Sequence, residues 1–232
     1  MSDASTIRSR LVEVRARIAR AARRAGRDPA SIRLVAVSKT FPADAVRAAV
    51  DAGHTEFGEN KVQEAVQKMD QTAGLPIRWH LVGHLQSNKA KKAGARFDVV
   101  QSVDGEALIP LLDDAAATAG HRLEVLVQVD LAREVTKFGA PEDELPGIFA
   151  AGAAARAVRI VGLMAIPPAV GDAEAARPYF RALRAVRDRL VARGIGQAML
   201  TELSMGMSHD FEIAIEEGAT IVRIGTAIFG AR

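Results

Sequence analysis

The 232-residue chain contains no cysteine and only one tryptophan and one tyrosine. Without cysteine it cannot build a disulfide scaffold, a cysteine nucleophile, a thiolate zinc site or an iron–sulfur cluster. No uncharged apolar run reaches the roughly 18 residues that a membrane-spanning helix requires. The first residues also lack the apolar segment of a secretory signal. We therefore expect a cytoplasmic protein.

Lysine is scarce as well, with seven lysines against 24 arginines, and the net charge is only +3. Eight of the arginines fall between positions 8 and 27, where a basic stretch could contact nucleic acid or an acidic lipid surface. However, Ile7, Leu11, Val14 and Ile18 recur at helical spacing, and no aromatic residue interleaves the arginines for base stacking. The pattern favours an amphipathic helix with a solvated arginine face, and we expect neither nucleic acid nor membrane as a partner.

Eight β-rich runs alternate with helical stretches along the rest of the chain. The predicted strands are Arg33–Ser38, Thr55–Gly58, Arg78–Val82, Phe97–Ser102, Arg122–Asp130, Arg159–Ala165, Ala198–Leu203 and Thr220–Ile224. The predicted helices are Ala43–Ala52, Lys61–Met69, Lys89–Gly94, Gly105–Ala119, Pro141–Gly152, Ala173–Gly194 and Ser208–Glu217. Strands that alternate with helices imply parallel pairing through βαβ crossovers.

Eight such units that close on themselves make a (β/α)8 barrel, which typically needs about 250 residues. The alternative, an open doubly wound sheet, lacks its usual glycine-rich dinucleotide fingerprint here. We find no linker and no break in composition. The sequence therefore predicts one α/β domain over residues 1–232, a TIM-like barrel with an extra N-terminal helix.

The first predicted strand runs into Lys39. By alternation Val35, Val37 and Lys39 share one face, and the active site of such a barrel lies where the strands end. Apolar surroundings favour the neutral amine of a lysine, which is the form that attacks an aldehyde. Lys39 is therefore either a Schiff-base lysine or a lysine that snorkels at a loop edge.

The seventh and eighth strands run into small and hydroxyl-bearing residues. Ser204, Gly206 and Ser208 follow strand seven, with Ser208 as the predicted N-cap of the next helix, and Gly225 and Thr226 follow strand eight. Such residues bring backbone N–H groups close to an anion, and barrels often hold a phosphate in these two loops. Strands one and eight are neighbours in a closed barrel. A ligand that carries both an aldehyde and a phosphate, such as pyridoxal 5′-phosphate (PLP), would bridge them.

The other strand ends are less specific. His80 and His84 flank the end of strand three, and we interpret each as a satisfied core or rim histidine rather than a metal ligand. The segment 83–89 lacks the second glycine of a P-loop. Met164, at the end of strand six, either packs in the core or lies against a flat ring.

Several segments of the chain, in register over nearly its whole length, resemble the pyridoxal phosphate homeostasis protein family. They are residues 36–40 (AVSKT), 57–60 (FGEN), 79–86 (WHLVGHLQ), 162–164 (GLM), 203–208 (LSMGMS) and 222–230 (VRIGTAIFG). The resemblance implies a barrel similar to the N-terminal domain of bacterial alanine racemase, with Lys39 carrying PLP as an internal aldimine.

The same resemblance implies the roles of the remaining site residues. It places Arg223 against the pyridine nitrogen, and it gives the cofactor-binding set as Lys39, Asn60, Met164, Ser204, Gly206, Met207, Ser208, Arg223, Gly225 and Thr226. Family members bind PLP and influence its supply to other enzymes. It follows that we expect no turnover reaction, a monomer, and apo forms of PLP-dependent enzymes as transient partners.

Two enzyme activities compete with this interpretation. An amino-acid racemase would use the same lysine but needs a second base, and Tyr179, the only tyrosine, lies in a predicted helix far from a strand end. An aldolase could use Lys39 with a phosphorylated sugar.

Overall fold

The computed structural model describes residues 4–131, 138–168 and 171–231. Within these ranges eight parallel strands form one closed barrel, arranged in their order along the chain. They are β1 (Arg33–Val37), β2 (Glu56–Glu59), β3 (Arg78–Leu81), β4 (Val99–Val103), β5 (Leu123–Gln128), β6 (Val158–Met164), β7 (Glu202–Ser204) and β8 (Ile221–Ile224). The barrel closes through β1 and β8, where Val35 pairs with Arg223 and Ala36 with Ile224. The predicted (β/α)8 architecture is confirmed.

The helices surround the barrel. In the described ranges they are α1 (Ala4–Arg24), α2 (Ala43–Asp51), α3 (Val62–Gln71), α4 (Ala90–Arg96), α5 (Leu108–Ala119), α6 (Leu145–Ala154), α7 (Arg177–Ala192), α8 (Phe211–Glu216) and α9 (Thr226–Phe229). α1 is the predicted extra N-terminal helix, and α2 to α8 each connect one strand to the next. None of these helices is long and apolar enough to cross a lipid bilayer.

Helix α1 buries the apolar stripe that the sequence predicts, Ile7, Leu11, Val14 and Ile18. Its arginine face is only partly solvated, because α1 packs beside α8 and exchanges ion pairs with it. Arg17 bonds Glu212 and Arg24 bonds Glu216, each at 3.0 Å. The basic stretch therefore ties the start of the chain to its end.

The bounds of several predicted elements differ from those in the structure. Residues 197–199 form a 3-10 turn rather than the start of a strand, because Met199 and Leu200 donate their N–H groups back to Gly196 and Gln197. Strand β7 consequently begins at Glu202. Helix α5 begins at Leu108 instead of Gly105, α6 at Leu145 instead of Pro141, and α8 at Phe211 instead of Ser208. The short helix α9 was not predicted.

Charged side chains close the amino end of the barrel. Six residues at or next to strand starts alternate in sign around it, and we call them the basal charge ring: Arg33, Glu56, Arg78, Glu124, Arg159 and Glu202. Arg78 contacts Glu124 at 2.7 Å, Arg33 contacts Glu202 at 3.5 Å, and Arg159 contacts Glu124 at 3.8 Å. Above the ring, six apolar side chains fill the interior: Val35, Val99, Leu126, Val161, Met164 and Ile221. The barrel interior is thus filled near the amino ends of the strands. The open end lies at their carboxyl ends, where a ligand could bind.

Candidate functional site at the mouth of the barrel

Lys39 lies two residues beyond the end of β1, half-buried in a turn at the mouth. The next residue, Thr40, has a φ of +66°, the only positive value of a non-glycine residue in the described ranges. A β-branched residue in this region is a true outlier and costs on the order of 1–3 kcal/mol. Such strain persists only where the surroundings hold the backbone in place.

A buried ionic cluster provides that hold. The ammonium of Lys68, on α3, donates to the Ser38 carbonyl and to Glu59 Oε1, both at 2.6 Å, and to Glu64 at 3.2 Å. Ser38 Oγ also donates to Glu59 at 2.7 Å, and the Thr40 N–H donates to Glu64. Burial raises the pKa of the Glu59 carboxyl, against the opposing effect of the Lys68 ammonium and the Ser38 hydroxyl. The cluster therefore hydrogen-bonds the backbone on both sides of Lys39, at the Ser38 carbonyl and at the Thr40 N–H.

The loops after β7 and β8 meet next to this turn. The Ser208 hydroxyl accepts from the N–H groups of Gly225 at 3.2 Å and Ala227 at 3.4 Å, so two amides converge on one point. A Cβ on Gly225 would lie 3.1 Å from the carbonyl oxygen of Val37, two residues before Lys39. The end of β8 therefore lies against the end of β1. The predicted role of Ser208 as an N-cap is wrong, because this hydroxyl bonds the β8 loop and Asp210 stands at the cap position of α8.

Gly206 allows the β7 loop to pack tightly. Its φ is +91°, and an added Cβ would lie 2.5 Å from the Ala214 side chain and 2.9 Å from the Phe211 backbone. Only glycine satisfies both the left-handed backbone and this close approach. Met207 lies exposed on the same loop, and Thr226 lies exposed at the start of α9.

Arg223 is buried at the end of β8, with its guanidinium donating to Ser204 Oγ at 2.7 Å and to the Ala165 carbonyl at 2.9 Å. Burial lowers the pKa of Arg223 to about 10, partly offset by the charge of Asp210. The side chain is still cationic at neutral pH. The Ser204 hydroxyl is engaged here rather than exposed to the mouth, and its hydrogen goes to Gln101 at 2.6 Å.

The other two predicted cofactor contacts occupy different surroundings. Asn60 is half-buried just after β2, and its backbone packs so closely on Gly83 that a Cβ there would lie 2.3 Å from the Asn60 carbonyl. Met164 is fully buried in the interior apolar cluster. Its contact with a ring stays a prediction.

Both histidines of the β3 region have polar partners on other strands or loops. His80 is buried and contacts Glu56 and Gln101, each at 3.0 Å, while His84 contacts Asp104 at 3.1 Å and stacks on Phe138 at 3.6 Å. Across the described residues, no three His, Asp or Glu side chains are grouped as a metal site. Each carboxylate partner lies on a different strand or loop from its histidine, and for that reason local inspection of the sequence missed it.

The structure therefore brings together the ends of β1 and β8, which carry Lys39 and Arg223, and joins the β8 end to the loop of Gly206 and Ser208. Sequence reasoning missed Glu59, Lys68 and Gln101. Glu59 lies within the FGEN segment at residues 57–60, and Lys68 was detectable as a charged residue on the apolar face of a predicted helix. Nothing local distinguished Gln101. Fold and site together define a (β/α)8 barrel whose mouth combines a lysine, a buried arginine and converging backbone amides.

Comparison with known proteins agrees with this class. Residues 10–232 match the family model described as alanine racemase, N-terminal domain. The pyridoxal phosphate homeostasis protein of Pseudomonas aeruginosa is 44% identical over 228 residues, which cover 98% of this chain and 96% of the relative. The chain belongs to the pyridoxal phosphate homeostasis protein family.

Solved structures give the same result. PipY of Synechococcus elongatus, determined with PLP bound, is 40% identical with a TM-score of 0.84, and the match covers 97% of this chain and all of PipY. A histidine racemase of Leuconostoc mesenteroides shares the fold at a TM-score of 0.69, but it is 18% identical, and the match spans 98% of this chain and 58% of the racemase. The near relatives are named for cofactor homeostasis rather than for a reaction.

Proposed function

We propose that this protein binds PLP through a Schiff-base link with Lys39, buffers the cofactor inside the cell and delivers it to other enzymes. The observation that supports the proposal is the contact between the β1 and β8 ends, where Gly225, one of the converging amides, lies against Val37, two residues before Lys39. The PLP-bound relative at 40% identity supports the choice of cofactor.

The residues present fit this cofactor. An aldehyde requires a primary amine, and Lys39 supplies one at the mouth. A phosphate requires donors and close backbone approach. In the two loops the Gly225 and Ala227 amides converge on Ser208, and the Ser208 hydroxyl keeps its own hydrogen to donate. In this proposal Met207 and Thr226 border the phosphate, and Asn60 and Met164 complete the contacts. PLP supplies a reactive aldehyde and a ring that can withdraw electrons.

Arg223 decides between a carrier and a catalyst. A cationic guanidinium beside the ring nitrogen opposes protonation of that nitrogen, because two adjacent positive charges repel. An unprotonated ring withdraws electrons weakly. Arg223 would thus favour storage of the cofactor, and Lys39 would hold its aldehyde reversibly.

An amino-acid racemase is the alternative function, and the shared fold of the histidine racemase favours it. A racemase needs a second base. Tyr179 lies within helix α7, outside the barrel and away from its mouth. We propose that no turnover occurs, that the protein is a cytoplasmic monomer, and that apo forms of PLP-dependent enzymes receive the cofactor in transient contacts.

Titration of the purified protein with PLP tests the proposal. We expect a visible absorption band from the wild type and from the control Lys92→Ala, in which an exposed lysine of α4 is removed. Lys39→Ala should lose that band while retaining weakened binding in equilibrium dialysis. A band of full intensity in Lys39→Ala would refute the role of Lys39. Racemisation of any amino acid that depends on Lys39 would favour the alternative.

A further inference from the structure

A chain of hydrogen bonds crosses the barrel interior from Arg223 to Glu56. Arg223 donates to Ser204, whose hydroxyl lies 2.6 Å from Gln101 Oε1. Gln101 Nε2 lies 3.0 Å from His80 Nδ1, and His80 Nε2 lies 3.0 Å from Glu56 Oε2. The three middle residues are completely buried. The chain thus connects the mouth of the barrel with the basal charge ring.

The Gln101 amide turns its oxygen toward Ser204 and its nitrogen toward His80, and this orientation sets the order of donors and acceptors along the hydrogen-bond chain. A guanidinium only donates, so the Ser204 oxygen accepts from Arg223, and Gln101 Oε1, at 2.6 Å, is the acceptor for the single Ser204 hydrogen. The Gln101 amide then has only N–H to offer His80. Nδ1 of His80 must therefore be the acceptor, and Nε2 carries the hydrogen donated to Glu56. Every bond points the same way, and the last acceptor is an anion.

This arrangement requires a neutral His80. Burial lowers the pKa of His80 and so favours the neutral form, against the opposing effect of Glu56. The arginines of the basal ring that face this histidine, Arg33 and Arg78, act in the same direction as burial. Electrostatics and hydrogen bonding therefore select the same protonation state.

The chain also holds Arg223 without neutralising it. Within the described part of the molecule, both groups that the Arg223 guanidinium contacts, Ser204 Oγ and the Ala165 carbonyl, are neutral. A carboxylate in direct contact would cancel the positive charge at the mouth. Neutral acceptors fix the orientation of the guanidinium, and the carboxylate of Asp210 acts on it through its charge rather than through a direct hydrogen bond.

We propose that Gln101, His80 and Glu56 are positioning residues that orient Arg223 toward the cofactor through Ser204. The inference rests on the proposed function, which places Arg223 beside the cofactor ring. It adds a dependence of that site on residues at the opposite end of the barrel.

The first test uses the protein without cofactor. Long-range 1H–15N NMR distinguishes histidine tautomers, and the protein has only five histidines. We expect His80 at pH 7 to be protonated at Nε2 and bare at Nδ1. The Gln101→Glu variant places an acceptor where the donor stood, and His80 should then become doubly protonated. A wild-type His80 protonated at Nδ1, or an unchanged histidine in Gln101→Glu, would overturn the proposed direction of the chain.

The second test adds PLP to Gln101→Met, which keeps the side-chain size and removes both hydrogen bonds. We expect at least tenfold weaker binding and a shift in the pH at which the bound cofactor changes its absorption maximum. The control Gln67→Met, on the exposed face of α3, should match the wild type. Wild-type affinity and pH profile in Gln101→Met would refute the positioning role. Failure of the wild-type protein itself to bind PLP would instead refute the proposed function. The NMR experiment would still test the direction of the hydrogen-bond chain.

Discussion

Lys68 and Glu59 show how a single buried ion pair can serve a binding residue. Their side chains are 7% and 0% exposed, and the pair lies 2.6 Å apart beneath the turn that contains Lys39. Removing one partner of such a pair leaves an uncompensated buried charge. The cluster is the structural reason why Thr40 can keep its strained backbone.

Lys68→Met should therefore destabilise the protein by about 3–5 kcal/mol, since Glu59 loses its cation. Urea denaturation measures the free energy of unfolding. The double variant Lys68→Met with Glu59→Gln should recover part of that loss, because no charge stays buried. If the double variant were no more stable than Lys68→Met alone, the ion pair would not be the source of the effect.

At the scale of single residues, sequence reasoning succeeded where one position carries its own chemistry. Lys39 was found because a lysine after an apolar strand is unusual. Gln101 and His80 were not assigned a joint role, because their contact joins β4 to β3 and the next contact crosses the barrel to β7. Such contacts are created by the closure of the sheet.

At the scale of elements, Asp113 links helix α5 to the start of β6. Its Oδ1 accepts backbone N–H groups of Arg156, Ala157 and Val158 at 3.0, 2.6 and 2.8 Å. Burial alone raises the pKa of Asp113, but these three donors outweigh it and hold the pKa below its usual value. A depressed carboxyl pKa means that the ionised form stabilises the fold.

Asp113→Asn should lower the free energy of unfolding by about 1–3 kcal/mol at pH 7, since an amide oxygen accepts less strongly than a carboxylate. The difference is fully present above the unfolded-state pKa of about 3.9 and should shrink as pH falls through the folded value. Asp114→Asn, at an exposed neighbouring position, is the control and should change stability by less than about 0.5 kcal/mol. An equal loss in both variants, or a loss that grows in acid, would contradict this account.

Gly206 sets the shape of the β7–α8 loop. Gly206→Ala must adopt a positive φ and push against Ala214, so we expect a loss of about 2–4 kcal/mol in thermal unfolding experiments. Gly196→Ala meets nothing within 4 Å at an ordinary φ and should have little effect. Similar stability of the two variants would show that the loop relaxes freely.

The sequence predicted the existence and order of the strands better than their bounds. The alternation of apolar strands and amphipathic helices can be read from the sequence, and it was enough to predict the (β/α)8 barrel. The run 198–203 misled because its apolar residues serve a turn that leads from α7 back into the barrel. Helix α9 is too short to leave a periodic pattern.

At the scale of the whole molecule, the first and last parts of the chain depend on one another. Strand β1 pairs with β8, and α1 is bonded to α8 by arginines. Together with the absence of a linker, this closure supports the prediction of a single domain over residues 1–232.

A single domain should unfold in one cooperative transition. Trp79, the only tryptophan, is buried on β3 and reports on the barrel by fluorescence. Its urea transition should coincide with the loss of helical circular dichroism, which reports on the outer layer. Two separated transitions would contradict the single-domain prediction.

The basal charge ring was not predicted. Arg33, Glu56, Arg78 and Arg159 stood at or next to predicted strand starts, but Glu124 lay inside its predicted strand and Glu202 near the end of one. The alternation in sign around the ring appears only when strands distant in sequence become neighbours. The same holds for the mouth, where residues near positions 39, 206 and 225 meet.

The central claim is that Lys39 holds the cofactor, and borohydride reduction tests it most directly. The protein is saturated with PLP, reduced, digested and mapped by mass spectrometry. We predict one stoichiometric pyridoxyl modification, on Lys39. Modification spread over several exposed lysines, or confined to a lysine other than Lys39, would contradict the account.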